Sequence, residues 1–279
     1  MTIHAVLIVL TAAFLHALWN AVVKGAPDKA IILGLVSFGH AIPAMFVLPF
    51  LGLPVWSAFP FVIASTLIHW VYYWFLNTAY THGDLSVVYP ISRGMTPFLV
   101  AIGALFLAGE FLPAVAWIGI ICISVGIGCL SLAGLGRQTN WIAIAAAFGT
   151  GLMITSYSLV DGIGIRMSEN TLGYIAVLFV AEIFVAGFIF STRWQRLVEL
   201  PRRYVWAGLA GGVISGLAYG LVLYAKTIAP LGVVSALRES SVIFASAIGI
   251  FWFGEGPRWN RLLAASIVAV GVILLAIAR

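Results

Sequence analysis

Polar residues in this chain do not alternate with apolar ones at any short period; they collect in brief connections between long apolar runs. Ten runs stand out, at residues 3–24, 30–50, 59–81, 86–107, 114–133, 140–160, 170–190, 204–227, 233–253 and 258–278. A helix crossing a ~30 Å hydrocarbon layer needs ~20 apolar residues, and each run is close to that length. The strands of a transmembrane barrel would show alternating polarity over ~10 residues, so the pattern predicts an all-α polytopic membrane protein. The most polar connections are GLGRQTN, Gly134 to Asn140, and STRWQRLVELPRR, Ser191 to Arg203, which leaves no room for a soluble domain. The first run lacks a basic leader and a small-residue cleavage site, so it is expected to be retained.

Composition agrees with the pattern. Of the 279 residues, 63% are apolar and 8% charged, and mean hydropathy is +1.12; an ordinary soluble domain is about 25% charged. That excludes a soluble enzyme, a nucleic-acid module or a secreted scaffold. The net charge of +5 is read as membrane topology, since Lys and Arg gather in cytoplasmic loops. Odd-numbered loops and their flanks hold nine basic residues (Lys24, Lys29, Arg137, Arg193, Arg196, Arg202, Arg203, Arg258 and Arg261), against Arg166, Lys226 and Arg279 on the other side. Both termini are therefore expected outside. Cys122 and Cys129 lie inside one apolar run and read as packing residues.

An internal repeat is visible. A shift of 146 lays Ala79 to Val88 (AYTHGDLSVV) on Ala225 to Val234 (AKTIAPLGVV), and a shift of 145 lays Gly109-Glu110 on Gly254-Glu255 and Arg93 on Arg238. Runs 3 to 5 thus match runs 8 to 10. Five crossings per unit is an odd number, so residues 1–134 and 140–279 are expected to form two inverted five-helix repeats.

With HALWNAVVK (His16 to Lys24) closing the first run, and the Pro97 to Glu110 pattern echoed from Val242 to Glu255, the sequence resembles the drug/metabolite transporter superfamily, in its EamA-type ten-span form. The resemblance implies amino acids or related metabolites as substrates, and both termini inside, against the charge bias. Val242 stands where the second unit often has proline. Small multidrug exporters, single-unit relatives, carry a carboxylate in their first span. Here that span has His16, Trp19 and Asn20 but no acid, and the sixth is expected to have none in its interior, so carboxylate-driven exchange is not expected.

Intramembrane charges are costly and mark function by default. Four are expected well inside the spans: Arg93, Glu182, Arg238 and Glu239. At ~1.5 Å of rise per residue, Glu182 sits ~3 Å from its span centre, Arg93 ~5 Å and Arg238 ~7 Å. The candidate substrate residues are Arg93, Arg238, Trp19, Asn20, Trp70, Tyr73 and Tyr219, with the arginines gripping an acidic group in a fork. An internal pair of Arg93 with Glu239 is the alternative. Glu182, Glu239, His40 and His69 are candidates for proton coupling or ion pairing. Gly208, Gly212, Gly216 and Gly220 form a stripe that either admits a close helix or lines a cavity, opposite Val62, Thr66, Trp70 and Trp74 in the other repeat. Glu110 and Glu255 read as caps.

The leading expectation is a secondary transporter in the cell membrane. It would move a small polar metabolite, amino-acid-like or bearing a carboxylate or phosphonate, by alternating access. The partners are that solute and the bilayer, with no nucleic acid and no cofactor, and the protein is a monomer or homodimer. A translocase for a lipid-linked or polyprenyl-phosphate substrate is the alternative. A membrane-embedded enzyme is the least favoured, because Asp28, Asp84 and Asp161 all read as span ends and no HExxH or CxxC motif is present.

Overall fold

The computed structural model describes residues 2–83, 85–132, 140–252 and 258–278. Among these, the chain is helical throughout: α1 Ile3–Lys24, α2 Lys29–Leu51, α3 Phe59–His82, α4 Leu85–Leu107, α5 Ala114–Leu132, α6 Trp141–Met167, α7 Thr171–Ala181, α8 Ile183–Thr192, α9 Trp194–Glu199, α10 Arg202–Ile228, α11 Leu231–Arg238, α12 Ser241–Phe251 and α13 Arg258–Ile277. Eight segments are long and apolar enough to cross a membrane, α7 with α8 and α11 with α12 each counting as one; α5 and α13 add two shorter apolar helices. The protein is a multi-pass membrane protein of the cell membrane. Asp84, Arg137, Gly254 and Glu255 lie outside the described residues.

The helix starts follow from local chemistry. A new helix leaves its first N–H groups without partners, and a short polar side chain at the N-cap can accept from them. Asp28 accepts from Ala30 and Ile31, Asn140 from Ile142, and Asn170 from Gly173. Prolines precede α10 and α11, where their missing N–H costs nothing. At the end of α2 the chain turns through Gly52, whose φ of +76° a side chain would resist. Its carbonyl and that of Leu51 accept from Asn170 Nδ2, joining the α2–α3 and α6–α7 connections. On the opposite side Arg196 lies 3.7 Å from Asp28, joining two odd-numbered connections.

The principal packed pairs are α3 with α6, α5 with α13, α1 with α10, α2 with α10, and α4 with both α5 and α6. The largest core cluster draws on α1, α4, α5 and α10 to α13. Large apolar side chains also cover the outside: Phe50, Phe106, Trp141 and Phe251 are largely exposed, a surface far beyond what a soluble monomer shows. Hydrocarbon is the solvent that suits it.

Three boundaries depart from the sequence expectation. The sixth run does not stop near residue 160, because α6 continues to Met167. The glycines of the DGIGI stretch, which look like a helix end, are approach points. Gly164 lies under Phe61 and the Tyr174 hydroxyl, and Gly162 under Leu231. The seventh and ninth runs are each interrupted, at Glu182 and at Glu239-Ser240. There the backbone tightens to bonds spanning three residues: Glu239 N to Ala236 O at 3.0 Å, Ser240 N to Leu237 O at 3.0 Å and Val242 N to Glu239 O at 3.0 Å.

Candidate functional site

The break between α11 and α12 places two charges side by side and gives them different partners. Glu239, 1% exposed, faces α4, where Arg93 Nε donates to its Oε2 at 2.9 Å. Arg93 Nη2 stands 2.8 Å from Oε1 as a second charge contact, without the alignment of a hydrogen bond. Arg238, 8% exposed, has no ion pair or hydrogen bond among the described residues. Its guanidinium carbon lies 5.6 Å from the centre of the Tyr219 ring, in cation–π range. Around the same break, the hydroxyls of Ser235, Ser240 and Ser241 are buried without a partner. The expectation of two equivalent arginines is corrected here: Arg93 is engaged by Glu239, and Arg238 is the arginine left with open donors.

Below Tyr219 lies a carboxylate that the sequence reading put at a span end. Asp161 is completely buried within α6 and accepts from the Tyr219 hydroxyl at 2.6 Å and from Tyr174 at 3.4 Å. The expectation of no acid inside this span is overturned. Lys226, read as a flank residue, is also completely buried in the last turn of α10. Its ammonium donates to the Ser158 carbonyl at 2.8 Å, instead of reaching out to water as a lysine near a helix end usually does. Among the described residues, six charges thus lie inside the helices with little or no exposure: Arg93, Glu182, Arg238, Glu239, Asp161 and Lys226.

A second pair sits at the other break. His40 Nε2 lies 2.9 Å from Glu182 Oε2, and its ring packs against Phe179 with centroids 5.1 Å apart. His69 does not join them by a hydrogen bond. Its Nδ1 meets the Ser65 carbonyl at 2.8 Å, and its ring stacks on Tyr157 at 4.2 Å. Tyr219 is therefore the only one of the expected tyrosine pair on the Asp161 centre; Tyr73 packs edge-on against Tyr72 at 5.1 Å. Trp19 donates to His16 Nδ1 at 3.2 Å and Asn20 to the His16 carbonyl at 2.7 Å, both contacts local to α1. Trp70 is 50% exposed on α3 and makes no ring stack or hydrogen bond among the described contacts.

The glycine stripe of α10 is a packing seam. A Cβ on Gly212 would meet the Val36 carbonyl oxygen and Gly39, one on Gly208 the Leu35 side chain, and one on Gly216 the His40 Cβ. At these three the cavity-wall alternative is set aside, since α2 fills the space, whereas a Cβ on Gly220 would meet Ile175 and Phe179 of α7 at 3.6 to 4.0 Å. Glu110 caps, as expected, but it caps a neighbour: its Oε2 accepts from Leu231 N at 2.7 Å, at the start of α11. Its Oε1 pairs with Arg166 at 2.8 Å, and Arg166 in turn donates to the Lys226 and Ala229 carbonyls.

Over 221 residues, 78% of this chain and 69% of the relative, the sequence is 23% identical to the chloramphenicol-sensitive protein RarD of Pseudomonas aeruginosa. This similarity supports a membrane transporter-type protein. A solved structure described only as the crystal structure of a protein superimposes with a TM-score of 0.78 over 98% of both chains, at 16% identity, and so shares the fold. No family model matches the sequence.

The sequence reading missed Asp161, Lys226 and the three serines. A signal was available for Asp161: it stands 145 positions after His16, in the register that pairs Arg93 with Arg238. The serines carried none, because a hydroxyl in an apolar helix usually bonds its own backbone, and the sequence does not show which ones fail to.

Proposed function

We propose that the protein is a secondary transporter for a small solute bearing a carboxylate or phosphonate, with Arg238 holding the acidic group. The observation that carries this is the Arg238 environment. An unpaired buried guanidinium is a costly state, and three unpartnered serine hydroxyls lie in the adjoining turns. An anion seated there would accept from the guanidinium. Interrupted membrane helices are where transporters build such sites, because the break frees backbone and side-chain groups at membrane depth. Similarity to RarD supports the transporter class.

In this proposal the two halves, 1–134 and 140–279, rock against each other to expose the site alternately, and the Arg93–Glu239 pair holds α4 to the broken span. The test is a thermal-shift screen of purified protein against amino acids, simple carboxylates and phosphonates, with chloramphenicol included because the relative's name mentions it. Acidic solutes should stabilise the wild type, and Arg238→Ala should remove that effect. Equal stabilisation of the Arg238→Ala protein would overturn the assignment.

A further inference from the structure

Asp161 and Lys226 are both completely buried, and they do not touch: no ion pair within 4.0 Å joins them. The groups facing Asp161 come from three neighbouring helices. Tyr174 approaches from α7, Tyr219 and Lys226 from α10, and His69 from α3. On α6 itself Tyr157 stacks on His69, while Arg166 is occupied by Glu110, which ends the α4 connection. Arg238 of α11 lies on the ring of Tyr219, whose hydroxyl Asp161 holds. One phenol therefore connects the open arginine to a carboxylate that no direct cation neutralises.

The geometry points to Asp161, set against Lys226, as a proton-exchange site that takes up one H⁺ when an anion binds Arg238 and gives it up when the anion leaves. This rests on the reading of Arg238 as the anion site. An anion on Arg238 and an ionised Asp161 would lie across one tyrosine ring in a medium that screens poorly, and like charges so placed disfavour each other. A proton on Asp161 removes the repulsion. Tyr219 keeps its own proton throughout and donates to Asp161 in either state. The Lys226 ammonium donates to the Ser158 carbonyl. One anion and one proton then cross together, which makes the protein a proton symporter with its coupling group on α6.

The experiment uses the full chain in detergent, with acetate and methanesulfonate as minimal anions whose own charge is constant between about pH 6 and about pH 8. Binding and proton uptake are read together by calorimetry in buffers of different ionisation enthalpy. In the wild type, affinity should rise as pH falls, by up to about tenfold per unit, with about one proton taken up per anion at the upper end of the range. Asp161→Asn keeps an acceptor for Tyr219 but cannot ionise, so its binding should be independent of pH and its proton uptake nil. Lys226→Met keeps the carboxylate and serves as the control: uptake that survives in Asp161→Asn and disappears in Lys226→Met would assign the proton to the lysine. Absence of any Arg238-dependent binding in the wild type would defeat the proposed function. Binding with no uptake in the wild type, or with uptake persisting in Asp161→Asn, would defeat this inference alone. If Asp161→Asn does not fold, Asp161→Ser replaces it.

Discussion

Arg93 and Glu239 meet across the α4–α11 contact with both ends of the carboxylate within 2.9 Å of the guanidinium. They lie 146 positions apart in sequence, so the pair ties the middle of an early helix to the break in a late one. Removing one partner strands a charge that is almost fully buried, which typically costs about 3–5 kcal/mol, whereas removing both leaves an apolar contact. We expect Arg93→Leu and Glu239→Leu each to lower the folded yield sharply, and the double variant to recover most of it. Thermal unfolding of the three proteins in detergent checks this; a double variant no more stable than either single one would mean that the residues act separately.

The same logic applies to His40 and Glu182, joined at 2.9 Å. Losing one partner of a buried hydrogen bond costs about 1–3 kcal/mol, so His40→Leu and Glu182→Leu should each destabilise and the double variant should recover. Because the proton site is assigned to Asp161, the pH dependence of anion binding should survive in the double variant. Its loss there would return the coupling role to this pair.

Glycines on the α2–α10 seam should reject any side chain. Gly212→Ala forces a methyl into the Val36 carbonyl, which is backbone and cannot yield cheaply, and Gly216→Leu drives into the His40 Cβ. Overpacking of this kind costs about 1–3 kcal/mol. Gly187→Ala on α8 is the control, since nothing lies within 4 Å of a Cβ there. Unfolding temperatures should fall for the first two and hold for the third.

Orientation is testable because the charge bias sharpens in three dimensions. Lys226 is buried and Arg166 is bound to Glu110, so neither is free to anchor its side of the bundle. The basic residues of the odd-numbered connections should then lie in the cytoplasm. In a background with Cys122 and Cys129 replaced by alanine, an impermeant thiol reagent on intact cells should label Glu169→Cys and spare Gln195→Cys. The reverse pattern would place both termini inside.

Much of the fold was legible in one dimension because the bilayer imposes a simple rule: about 20 apolar residues per crossing, with every backbone group paired inside its own helix. That rule located the apolar runs, and it singled out Arg93, Arg238, Glu182 and Glu239 as residues out of place. Periodicity cannot say whether a helix continues past a glycine. Asp161 read as a span end, and only the packing of Gly162 on Leu231 and of Gly164 beneath Phe61 shows why α6 runs on and carries Asp161 inside. Nor does sequence assign partners. Arg93 and Arg238 are equivalent by repeat position, yet the tertiary structure pairs one with Glu239 and leaves the other on Tyr219, because an ion pair is decided by which helices touch.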